Sequence, residues 1–594
     1  MCGIAGIVGP GAERHGAALD RMLDALVHRG PDEGGRWSGA GALLGIRRLS
    51  IVDPADGHQP VVDDAAGVVV VANGEIYGHE RIRAAHPRHP YRSGSDIEVV
   101  PALHRAHGAG FLHHLPGTFA LALWEEGPRR LTLARDRFGE RPLYWAHRPD
   151  GLLLFASEPQ ALRASGLVDV AIDRAVVAQQ LRQGYVPPGR SIWQGLSSLA
   201  PASVLCFEAG GAPAIERWWS PPPVEAPDGG MADPVAWFRG ALDRAVQDQL
   251  VADVPVGTLL SGGLDSSTVS ALAARHHRRI AGFAFDMPGD SEVPFARAVA
   301  ERHGIDLHVY RPEVADLVGL LHDVARTWGE PLGDSSTVPT LLLSRFVRAE
   351  VTVALTGDGA DELLGGYLCW ARPFLHPDDP ARTGMTSTPP ARRWFGRSKP
   401  PRAEVPAGTD LARRYADFRS YFSAGDLVAL GLPPASGADV DVTAYGYGTA
   451  DDISRFDLDH YLPGDILVKT DRASMATGLE VRAPFLDLEV AEGCLRLPAP
   501  WKVNATREKL LLRQAFGDLL PAEVVDRPKQ GFGSPMARWL VEPEVADLVR
   551  AELADPAAPI FDLLDHDAVQ PYLTAADQRL WNLFTLALWW RHHR

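Results

Sequence analysis

The stretch Leu259-Leu260-Ser261-Gly262-Gly263-Leu264-Asp265-Ser266-Ser267 decides the fold of the second half of this chain. It follows the β-rich run 254–260 and precedes residues 268–279, which we predict to form a helix. A turn of this kind leaves backbone N–H groups free at a helix N-terminus, where anions bind. Two adjacent glycines admit close backbone approach, and serine hydroxyls surround them, so the loop predicts a cradle for phosphate oxygens.

The pattern S-G-G-x-D-S is not a Walker loop, because it lacks the ending Gly-Lys-Ser/Thr. It resembles the pyrophosphate loop of ATP pyrophosphatases, which cleave ATP between the α and β phosphates and adenylate a substrate. Asp265 would repel phosphate unless a metal ion lay between them. The alternative interpretation is an ordinary Gly-Ser turn that caps a helix.

Strands and helices alternate after this loop. Further strands are predicted at 280–286, 306–310 and 351–357, with helices between them. Alternation of this kind implies right-handed crossovers and a doubly wound parallel sheet, whose ligands bind at the carboxyl ends of the strands. The serine-glycine loop falls at that edge.

A second motif, Gly357-Asp358-Gly359-Ala360-Asp361-Glu362, follows the last of these strands. Its closely spaced carboxylates would repel one another strongly without a cation. The motif therefore predicts a Mg²⁺ ion that neutralises the carboxylates and the pyrophosphate together, with Asp265 and Asp361 as the expected ligands. A solvated acidic helix start, stabilised by the helix dipole, is the alternative.

Composition limits the class of protein. A chain of 594 residues is too long to fold around a single hydrophobic core, so we expect two to four domains. The content of 46% hydrophobic and 23% charged residues is ordinary for a soluble globular protein. A formal charge of −16 argues against nucleic acid or anionic membrane as the main partner. Four dispersed cysteines favour reduced thiols and a cytoplasmic location. No signal segment or membrane span is expected, and processing is expected only at Met1.

The chain begins Met1-Cys2-Gly3. If Met1 is removed, Cys2 carries both a thiol nucleophile and an α-amine whose pKa lies near ~8, so the amine can accept the proton of the thiol. No histidine partner is then needed. A plain buried small residue is the alternative for Cys2.

Three later segments, 47–53, 72–77 and 93–96, resemble the glutamine site of class II amidotransferases, which use an N-terminal nucleophile. The resemblance implies that Arg48 binds the α-carboxylate of glutamine, that Glu75 and Asp96 face its α-ammonium, and that the Asn73 amide with the Gly74 N–H forms an oxyanion hole. The implied glutamine-binding residues are Arg48, Leu49, Ser50, Ile51, Val52, Asn73, Gly74, Glu75 and Asp96. The alternatives are a surface ion pair of Arg48 with Asp96 and a type I′ turn at Asn73-Gly74.

The first domain is predicted to be an αββα sandwich, as in N-terminal-nucleophile hydrolases. Short apolar runs between 119 and 157 indicate antiparallel strands, and helices are expected near 17–27 and 96–107. We expect a glutaminase domain at 2–212, a linker at 213–234 and an ATP-dependent synthetase domain at 235–594. Within the last, a proline-rich insert at about 373–406 is expected to be either a lid or a solvated loop.

Taken together, the Cys2 set, the serine-glycine loop and the acidic motif resemble the glutamine-hydrolysing asparagine synthetase family over nearly the whole chain. The resemblance implies that Asp358 supports formation and attack of an acyl adenylate and that Lys509 stabilises charge on the transferred group. An exposed helix lysine is the alternative for Lys509. The implied ATP-binding residues are Leu259, Ser261, Gly262, Gly263, Asp265, Ser266, Phe285, Thr356, Gly357 and Lys529.

The sequence leaves two possible roles open for each of two further residues. Asp334 either orients a substrate or caps a helix, and Arg482 either shapes the floor of the acceptor site or pairs with Glu480.

The expected reaction has two parts. Cys2 hydrolyses glutamine to ammonia, and the second domain adenylates aspartate with MgATP and amidates it to asparagine, releasing AMP and pyrophosphate; ammonia is expected to travel through an internal channel. A related amidotransferase for another carboxylate, from a natural product or a peptide, is the first alternative. A sensor of glutamine or nucleotide with a degenerate site is the second. A homodimer is also among the expectations.

Overall fold

The computed structural model describes most of the chain. The described residues are 1–225, 230–286, 291–312, 316–367, 411–435, 450–504, 506–527, 531 and 534–594. Lys529 and the proline-rich insert at 373–406 lie outside them. Among the described residues, no helix is both long enough and apolar enough to cross a membrane.

Three sheets organise the described chain. Their strands are β1 (Gly3–Val8), β2 (Glu33–Gly39), β3 (Ala42–Arg48), β4 (Val61–Asp63), β5 (Val68–Glu75), β6 (Thr118–Glu125), β7 (Arg130–Arg135), β8 (Tyr144–His147), β9 (Leu153–Ala156), β10 (Ser197–Ser198), β11 (Ser203–Glu208), β12 (Ala214–Arg217), β13 (Val256–Leu259), β14 (Ala281–Phe285), β15 (Asp306–Tyr310), β16 (Val353–Leu355) and β17 (Glu480–Arg482).

Helices cover the faces of these sheets. The α-helices are α1 (Gly16–Asp24), α2 (His79–Ala85), α3 (Val99–His107), α4 (Pro159–Ala164), α5 (Arg174–Gln183), α6 (Pro234–Gln249), α7 (Leu264–His276), α8 (Val293–His303), α9 (Leu317–Thr327), α10 (Thr337–Arg348), α11 (Ala360–Leu364), α12 (Leu411–Phe418), α13 (Ala424–Ala429), α14 (Ala450–Phe456), α15 (Leu467–Met475), α16 (Leu488–Arg496), α17 (Leu510–Phe516), α18 (Ala522–Asp526), α19 (Met536–Trp539), α20 (Pro543–Leu553), α21 (His566–Val569) and α22 (Gln578–His593). A π-helical segment, Asp457–Ile466, joins α14 to α15.

The N-terminal region is the predicted αββα sandwich. Its two six-stranded antiparallel sheets have the orders β10-β8-β9-β1-β3-β2 and β12-β11-β7-β6-β5-β4. Alternate side chains of β1, β5 and β6 fill the layer between the sheets, as strand periodicity requires. The outer face of the first sheet packs against α1, and that of the second packs against α3. The four layers are confirmed.

The C-terminal region contains the predicted parallel sheet, in the order β15-β14-β13-β16-β17. Asp233 caps α6 by accepting a hydrogen bond from the Ala236 N–H at 2.9 Å, as its place before Pro234 predicts. Because β13 and β16 are adjacent, the loops that follow them meet at one edge of the sheet. The serine-glycine loop and the acidic motif are therefore neighbours.

Two expectations about local structure were wrong, and one strand was missed. Helix α7 begins at Leu264 and ends at His276, not at 268 and 279, because extended Gly263 serves as its N-cap and places Asp265 in the first turn. Asn73-Gly74 does not form a type I′ turn, because both residues lie inside β5 and pair with β6. Strand β17 was not predicted at all.

Gly357 allows the close contact between the two loops. A Cβ atom on Gly357 would lie 2.8 Å from the Asp265 Cβ and 2.9 Å from the Ser266 backbone N. We expect Gly357→Ala to lower the free energy of unfolding by about 1–3 kcal/mol, because the start of α7 must shift. Urea denaturation measures this change. Gly16→Ala is the matched control, since its Cβ would meet nothing within 4 Å, and equal stability of the two variants would contradict the close contact.

Candidate active sites

The first candidate site surrounds Cys2, which is buried at the start of β1. The Cys2 backbone N–H donates a hydrogen bond to the Asn73 Oδ1 atom at 2.8 Å. The Asn73 Nδ2 atom is buried and has no hydrogen-bond partner among the described residues. A buried amide donor without a partner is costly, and here it lies beside the thiol. Asn73 is thus oriented by the N-terminal backbone and keeps its N–H groups for another acceptor.

Gly74 follows Asn73 where β5 approaches β6 closely. A Cβ atom at this position would lie 2.1 Å from the Thr118 carbonyl oxygen. Glycine is therefore required here, because any side chain would collide with the neighbouring strand.

Burial raises the pKa of the Cys2 thiol. The N-terminal ammonium, a hydrogen bond from the Leu49 N–H and the charge of Arg48 act in the opposite direction but do not overcome burial. The thiol is consequently protonated at neutral pH and needs a base to become a nucleophile.

Arg48 is buried, so the surface ion pair with Asp96 is wrong. Its guanidinium donates to the carbonyl oxygens of Val52 and Asp53, both at 2.9 Å, and lies 3.3 Å from a Glu33 carboxylate oxygen. These bonds fold residues 49–53 around the guanidinium. The remaining predicted members of this loop are Leu49 and Ile51, which are buried, together with Ser50 and Val52, which are partly buried.

Glu75 and Asp96 lie together and are both buried. Burial raises the pKa of each carboxyl, and the charge of Asp96 raises the pKa of Glu75 further. The Ile76 N–H donates to Asp96 at 2.8 Å, and the Arg482 guanidinium lies 3.4 Å from Glu75. Two neighbouring buried carboxyl groups favour a cationic ligand, which suits the predicted α-ammonium of glutamine.

Strand β17 carries charges from the parallel sheet into this first site. The Met1 α-ammonium donates a hydrogen bond to Glu480, and the Arg482 Nε–H donates to Glu480 at 2.6 Å, so the predicted pair is confirmed. Arg482 also donates to the carbonyl oxygens of Gln249 and Val251, at 2.7 and 2.8 Å. Although burial alone would raise it, the N-terminal ammonium and Arg482 lower the pKa of Glu480 to about 2.

A second buried ionic group at this junction was missed in the sequence. Arg29 donates to the Asp471 carboxylate through two N–H groups at 2.8 Å and to Glu158 at 2.7 Å, and its Nε–H donates to the Cys2 carbonyl oxygen at 3.1 Å. Arg472 lies 2.7 Å from the same Glu158. The sequence near Arg29 shows only a charged residue before Gly30-Pro31. Its burial could not be predicted, because its partners lie far away in the sequence.

The second candidate site lies at the carboxyl edge of the parallel sheet. The Ser261 and Ser266 hydroxyls are 2.9 Å apart, and the Gly263 N–H donates to Ser261 Oγ at 3.2 Å. Gly262 has φ +80°, and a Cβ there would lie 2.7 Å from the Ala296 backbone N, so glycine is required. The loop presents hydroxyls and the start of α7 at one place, as the phosphate cradle predicts.

The other predicted ATP-binding residues end neighbouring strands. Leu259 ends β13 and Phe285 ends β14, while Thr356 and Gly357 directly follow β16. The Thr356 N–H donates to the Arg482 carbonyl oxygen at 2.9 Å, which links this edge to β17. All of these residues share one edge of the sheet with the serine-glycine loop.

Lys509 connects the predicted metal ligands. Its Nζ atom lies 2.5 Å from Asp265 Oδ2 and 2.6 Å from Asp361 Oδ1. The side chain is buried at the start of α17, with φ +55°, so an exposed helix lysine is wrong. The two carboxylates thus converge on one cationic centre, although they lie far apart in the sequence.

Two converging carboxylates fit a Mg²⁺ ion that takes its other ligands from water and phosphate. Among the described residues, no group of three or more His, Cys, Asp or Glu side chains could hold a metal by itself. The Lys509 ammonium marks the position where the two carboxylates accept positive charge.

Asp358 lies next to this group and contacts α15. The Thr470 hydroxyl donates to Asp358 Oδ2 at 3.2 Å, and burial raises the pKa of Asp358. On the same helix, the Lys469 Nζ atom donates to Asp334 Oδ2 at 2.8 Å. Asp334 Oδ1 accepts from the Ser336 N–H and hydroxyl, both at 2.8 Å, just before α10. Asp334 therefore both organises this helix start and holds Lys469.

With both sites described, comparison with known proteins gives the family. Residues 238–591 match the family model for asparagine synthase, and residues 1–219 match the model for a glutamine amidotransferase domain. The chain belongs to the asparagine synthase family.

Individual relatives are similar over almost their full length. A relative from Mycobacterium bovis is 34% identical over 99% of this chain and 97% of its own. Asparagine synthetase (glutamine-hydrolysing) 1 of Bacillus subtilis is 30% identical over 91% of this chain and 88% of its own. A solved glutamine phosphoribosylpyrophosphate amidotransferase from B. subtilis matches 52% of this chain and 65% of its own, with 16% identity and a TM-score of 0.28.

The position of Lys509 makes a prediction about metal binding. Lys509→Met removes the ammonium that lies between two neighbouring carboxylates, so we expect the free energy of unfolding to fall by about 3 kcal/mol. Added Mg²⁺ should restore much of this loss without nucleotide, because the metal replaces the ammonium. Thermal denaturation with and without Mg²⁺ measures both effects.

Lys502→Met is the matched control, since Lys502 is equally buried and lies 2.8 Å from Asp451. It should be destabilised without recovery in Mg²⁺. If both variants respond to Mg²⁺ alike, the two carboxylates do not form a metal site.

Proposed function

We propose that this chain is a glutamine-dependent asparagine synthetase. Glutamine is hydrolysed at Cys2, and the ammonia amidates aspartate after its activation by MgATP, with AMP and pyrophosphate as products. The observation that carries the proposal is the contact between the two candidate sites, because Arg482 of the parallel sheet lies 3.4 Å from Glu75 of the first site and Arg29 donates to both the Cys2 carbonyl oxygen and Asp471. Family membership and the names of the relatives support the same reaction.

In the first half-reaction, removal of Met1 converts the Cys2 backbone N into an α-amine. That atom is already held by Asn73 Oδ1 at 2.8 Å, within reach of its own thiol. The amine accepts the thiol proton, and the thiolate attacks the glutamine amide to form a thioester. The unpartnered Asn73 amide donates to the oxyanion of the tetrahedral intermediate. The proton returns to the leaving ammonia, and water hydrolyses the thioester.

Glutamine is held by groups that complement its ends. We assign its α-ammonium to Glu75 and Asp96 and its α-carboxylate to the loop around Arg48. Arg48 already has carbonyl partners, so it contributes positive charge and fixes the N–H groups of residues 49–52.

In the second half-reaction, the serine-glycine loop and the start of α7 bind the phosphates of ATP. Asp265 and Asp361 would hold Mg²⁺, which supplies charge neutralisation on the pyrophosphate when bound. Lys509 reaches the same place and stabilises negative charge on the phosphate and acyl groups. Asp358 is oriented by Thr470 and receives a proton from the attacking ammonia. Lys529 remains a predicted phosphate contact outside the described residues.

Two coarser assignments accompany this proposal. We propose a glutaminase domain at 2–212, a linker at 213–234 and a synthetase domain at 235–594. A cytoplasmic location is supported by the free thiols of Cys2, Cys206 and Cys494 among the described residues. The homodimer stays a prediction.

One observation favours a second candidate for the carboxylate that is amidated. Lys469, whose charge acts on Asp358, is already paired with Asp334, so the charge of this cation near Asp358 is neutralised within the protein. An asparagine-synthetase-like amidotransferase for another carboxylate, which need not carry the α-carboxylate of aspartate, is therefore the second candidate. Exchange of labelled pyrophosphate into ATP across a panel of acids distinguishes the two, because only the true acceptor forms an adenylate. If another acid supports the exchange and aspartate does not, that acid replaces aspartate as the proposed acceptor, and the proposed chemistry stays the same.

The division of labour predicts the behaviour of Cys2→Ala. We expect glutamine-dependent amide formation to be lost, while ammonium-dependent formation stays within about twofold of wild type, since the thiol acts only in the first half-reaction. Amide product, AMP and glutamate are measured with each nitrogen source.

Cys494→Ala is a control, because Cys494 is a buried free cysteine on α16 and belongs to neither set of proposed site residues. It should keep both activities. If Cys2→Ala loses both activities together, or keeps both, the assignment of glutamine hydrolysis to Cys2 is wrong.

A further inference from the structure

Arg527 is a largely buried cation beside the serine-glycine loop, and the predicted chemistry assigns it no role. Its side chain is 10% exposed and directly follows α18. One guanidinium N–H donates to the Gly262 carbonyl oxygen at 3.1 Å, and another donates to the Glu292 carboxylate at 2.5 Å. The guanidinium also lies over the Phe295 ring, 4.3 Å from its centroid. A residue from the C-terminal part of the chain thus joins the loop to the start of α8.

The Gly262 backbone packs directly against α8 at the place where Arg527 binds. It has φ +80°, and a Cβ atom on it would lie 2.7 Å from the Ala296 backbone N and 3.0 Å from the Glu292 carbonyl oxygen. The loop therefore rests on the first turn of α8. Because glycine adopts many backbone conformations at little cost, this packing alone does not fix the peptide that joins Gly262 to Gly263.

The orientation of that peptide decides what the loop offers to an anion. The peptide is trans, so its carbonyl oxygen and its N–H point in opposite directions. While Arg527 holds the Gly262 carbonyl oxygen, the Gly263 N–H points into the loop, where it donates to Ser261 Oγ at 3.2 Å. The opposite orientation would present a carbonyl oxygen to the phosphate, which favours N–H donors.

Gly263 also starts the helix that completes the phosphate cradle. Its carbonyl oxygen accepts the Ser267 N–H at 3.0 Å, which is the first hydrogen bond of α7. The backbone N–H groups of residues 264–266 consequently have no partner within the helix. The orientation of Gly263 therefore controls a row of donors, and Arg527 acts at the peptide that precedes it.

The segment that carries Arg527 is attached to α8 by a second, separate arginine. Arg302, near the end of α8, donates to the Asp518 carbonyl oxygen at 2.7 Å and to the Leu520 carbonyl oxygen at 3.4 Å. Among the described residues, Arg302 makes no hydrogen bond to the serine-glycine loop. The contact of Arg527 with Gly262 is thus separable from the general attachment of this segment.

We propose that Arg527 is a positioning residue for the pyrophosphate part of ATP. It holds the Gly262 carbonyl oxygen away from the cradle and keeps the Gly263 N–H directed at the phosphate oxygens. Arg527 acts through this peptide and makes no contact of its own with the nucleotide. The inference rests on the proposed function and adds to it a residue far from the serine-glycine motif in the sequence.

Binding of inorganic pyrophosphate to the full-length protein tests this role. In Arg527→Met, we expect the Kd of pyrophosphate, measured by calorimetry with Mg²⁺, to rise about tenfold, because a charge-assisted hydrogen bond to the loop is lost. The KM for ATP in synthesis from ammonium chloride should rise in parallel, while kcat stays within about threefold. The Kd of AMP, which lacks the pyrophosphate, and the rate of glutamine hydrolysis should stay at their wild-type values.

Two further variants test the geometry of the contact. Arg527→Lys keeps the charge but lacks the guanidinium fork that reaches Gly262 and Glu292 together, so its Kd for pyrophosphate should lie between those of wild type and Arg527→Met. Glu292→Gln removes the charge that orients Arg527 and should weaken pyrophosphate binding less than Arg527→Met does. It carries the test if Arg527→Met is too unstable to purify.

Arg302→Met is the control, because Arg302 attaches the same segment to the same helix without a hydrogen bond to the loop. It should lower thermal stability and keep the Kd of pyrophosphate within about twofold of wild type. If Arg302→Met weakens pyrophosphate binding as much as Arg527→Met, or if Arg527→Met weakens AMP and pyrophosphate binding equally, the positioning role is refuted.

The wild type separates this inference from the proposed function. If the wild type binds neither ATP nor pyrophosphate in the presence of Mg²⁺, the proposed function fails. If the wild type binds both and Arg527→Met binds pyrophosphate with the same Kd, only the positioning role fails.

Discussion

The buried ionic contact between β17 and the N-terminal region is the constraint on which the rest of the structure depends. Arg482 lies at the edge of the parallel sheet, yet it contacts Glu75 of the sandwich at 3.4 Å, and Arg29 of the sandwich donates to Asp471 of α15 at 2.8 Å. Because buried charges must be paired, loss of this contact while the two regions stay packed together would leave unpaired charges inside the protein. The contact therefore fixes the distance between the two proposed reactions.

Much of each site could be predicted because the deciding residues are neighbours in sequence. The serine-glycine loop is a local strand-turn-helix unit, and the parallel sheet follows from the alternation of strands and helices around it. Asp265 and Asp361 were predicted to share a cation, and the structure brings both to the Lys509 Nζ atom. Although they lie far apart in the sequence, their convergence could be predicted because each follows a strand at the carboxyl edge of the same parallel sheet.

The parts that could not be predicted depend on contacts between distant residues. Strand β17 is three residues long with charged residues at both ends, so no alternation marks it, and it is a strand because β16 pairs with it. Arg29 has partners more than a hundred residues away, at Glu158 and Asp471. Asn73-Gly74 favours a turn by its local preference, but pairing with β6 overrides it. Strand β17 and Arg29 lie at the junction of the two regions, whereas Asn73-Gly74 lies within the sandwich.

Nitrogen transfer inside the protein is the central claim, and an isotope competition tests it most directly. The wild type is given ATP, aspartate and glutamine labelled with ¹⁵N in the amide, in the presence of an excess of unlabelled ammonium chloride, and the isotope in the product amide is measured by NMR. If ammonia passes internally, nearly all of the amide made at the glutamine-dependent rate carries ¹⁵N. An isotope ratio equal to that of the bulk ammonia would contradict the account, because the two sites would then exchange nitrogen only through solvent.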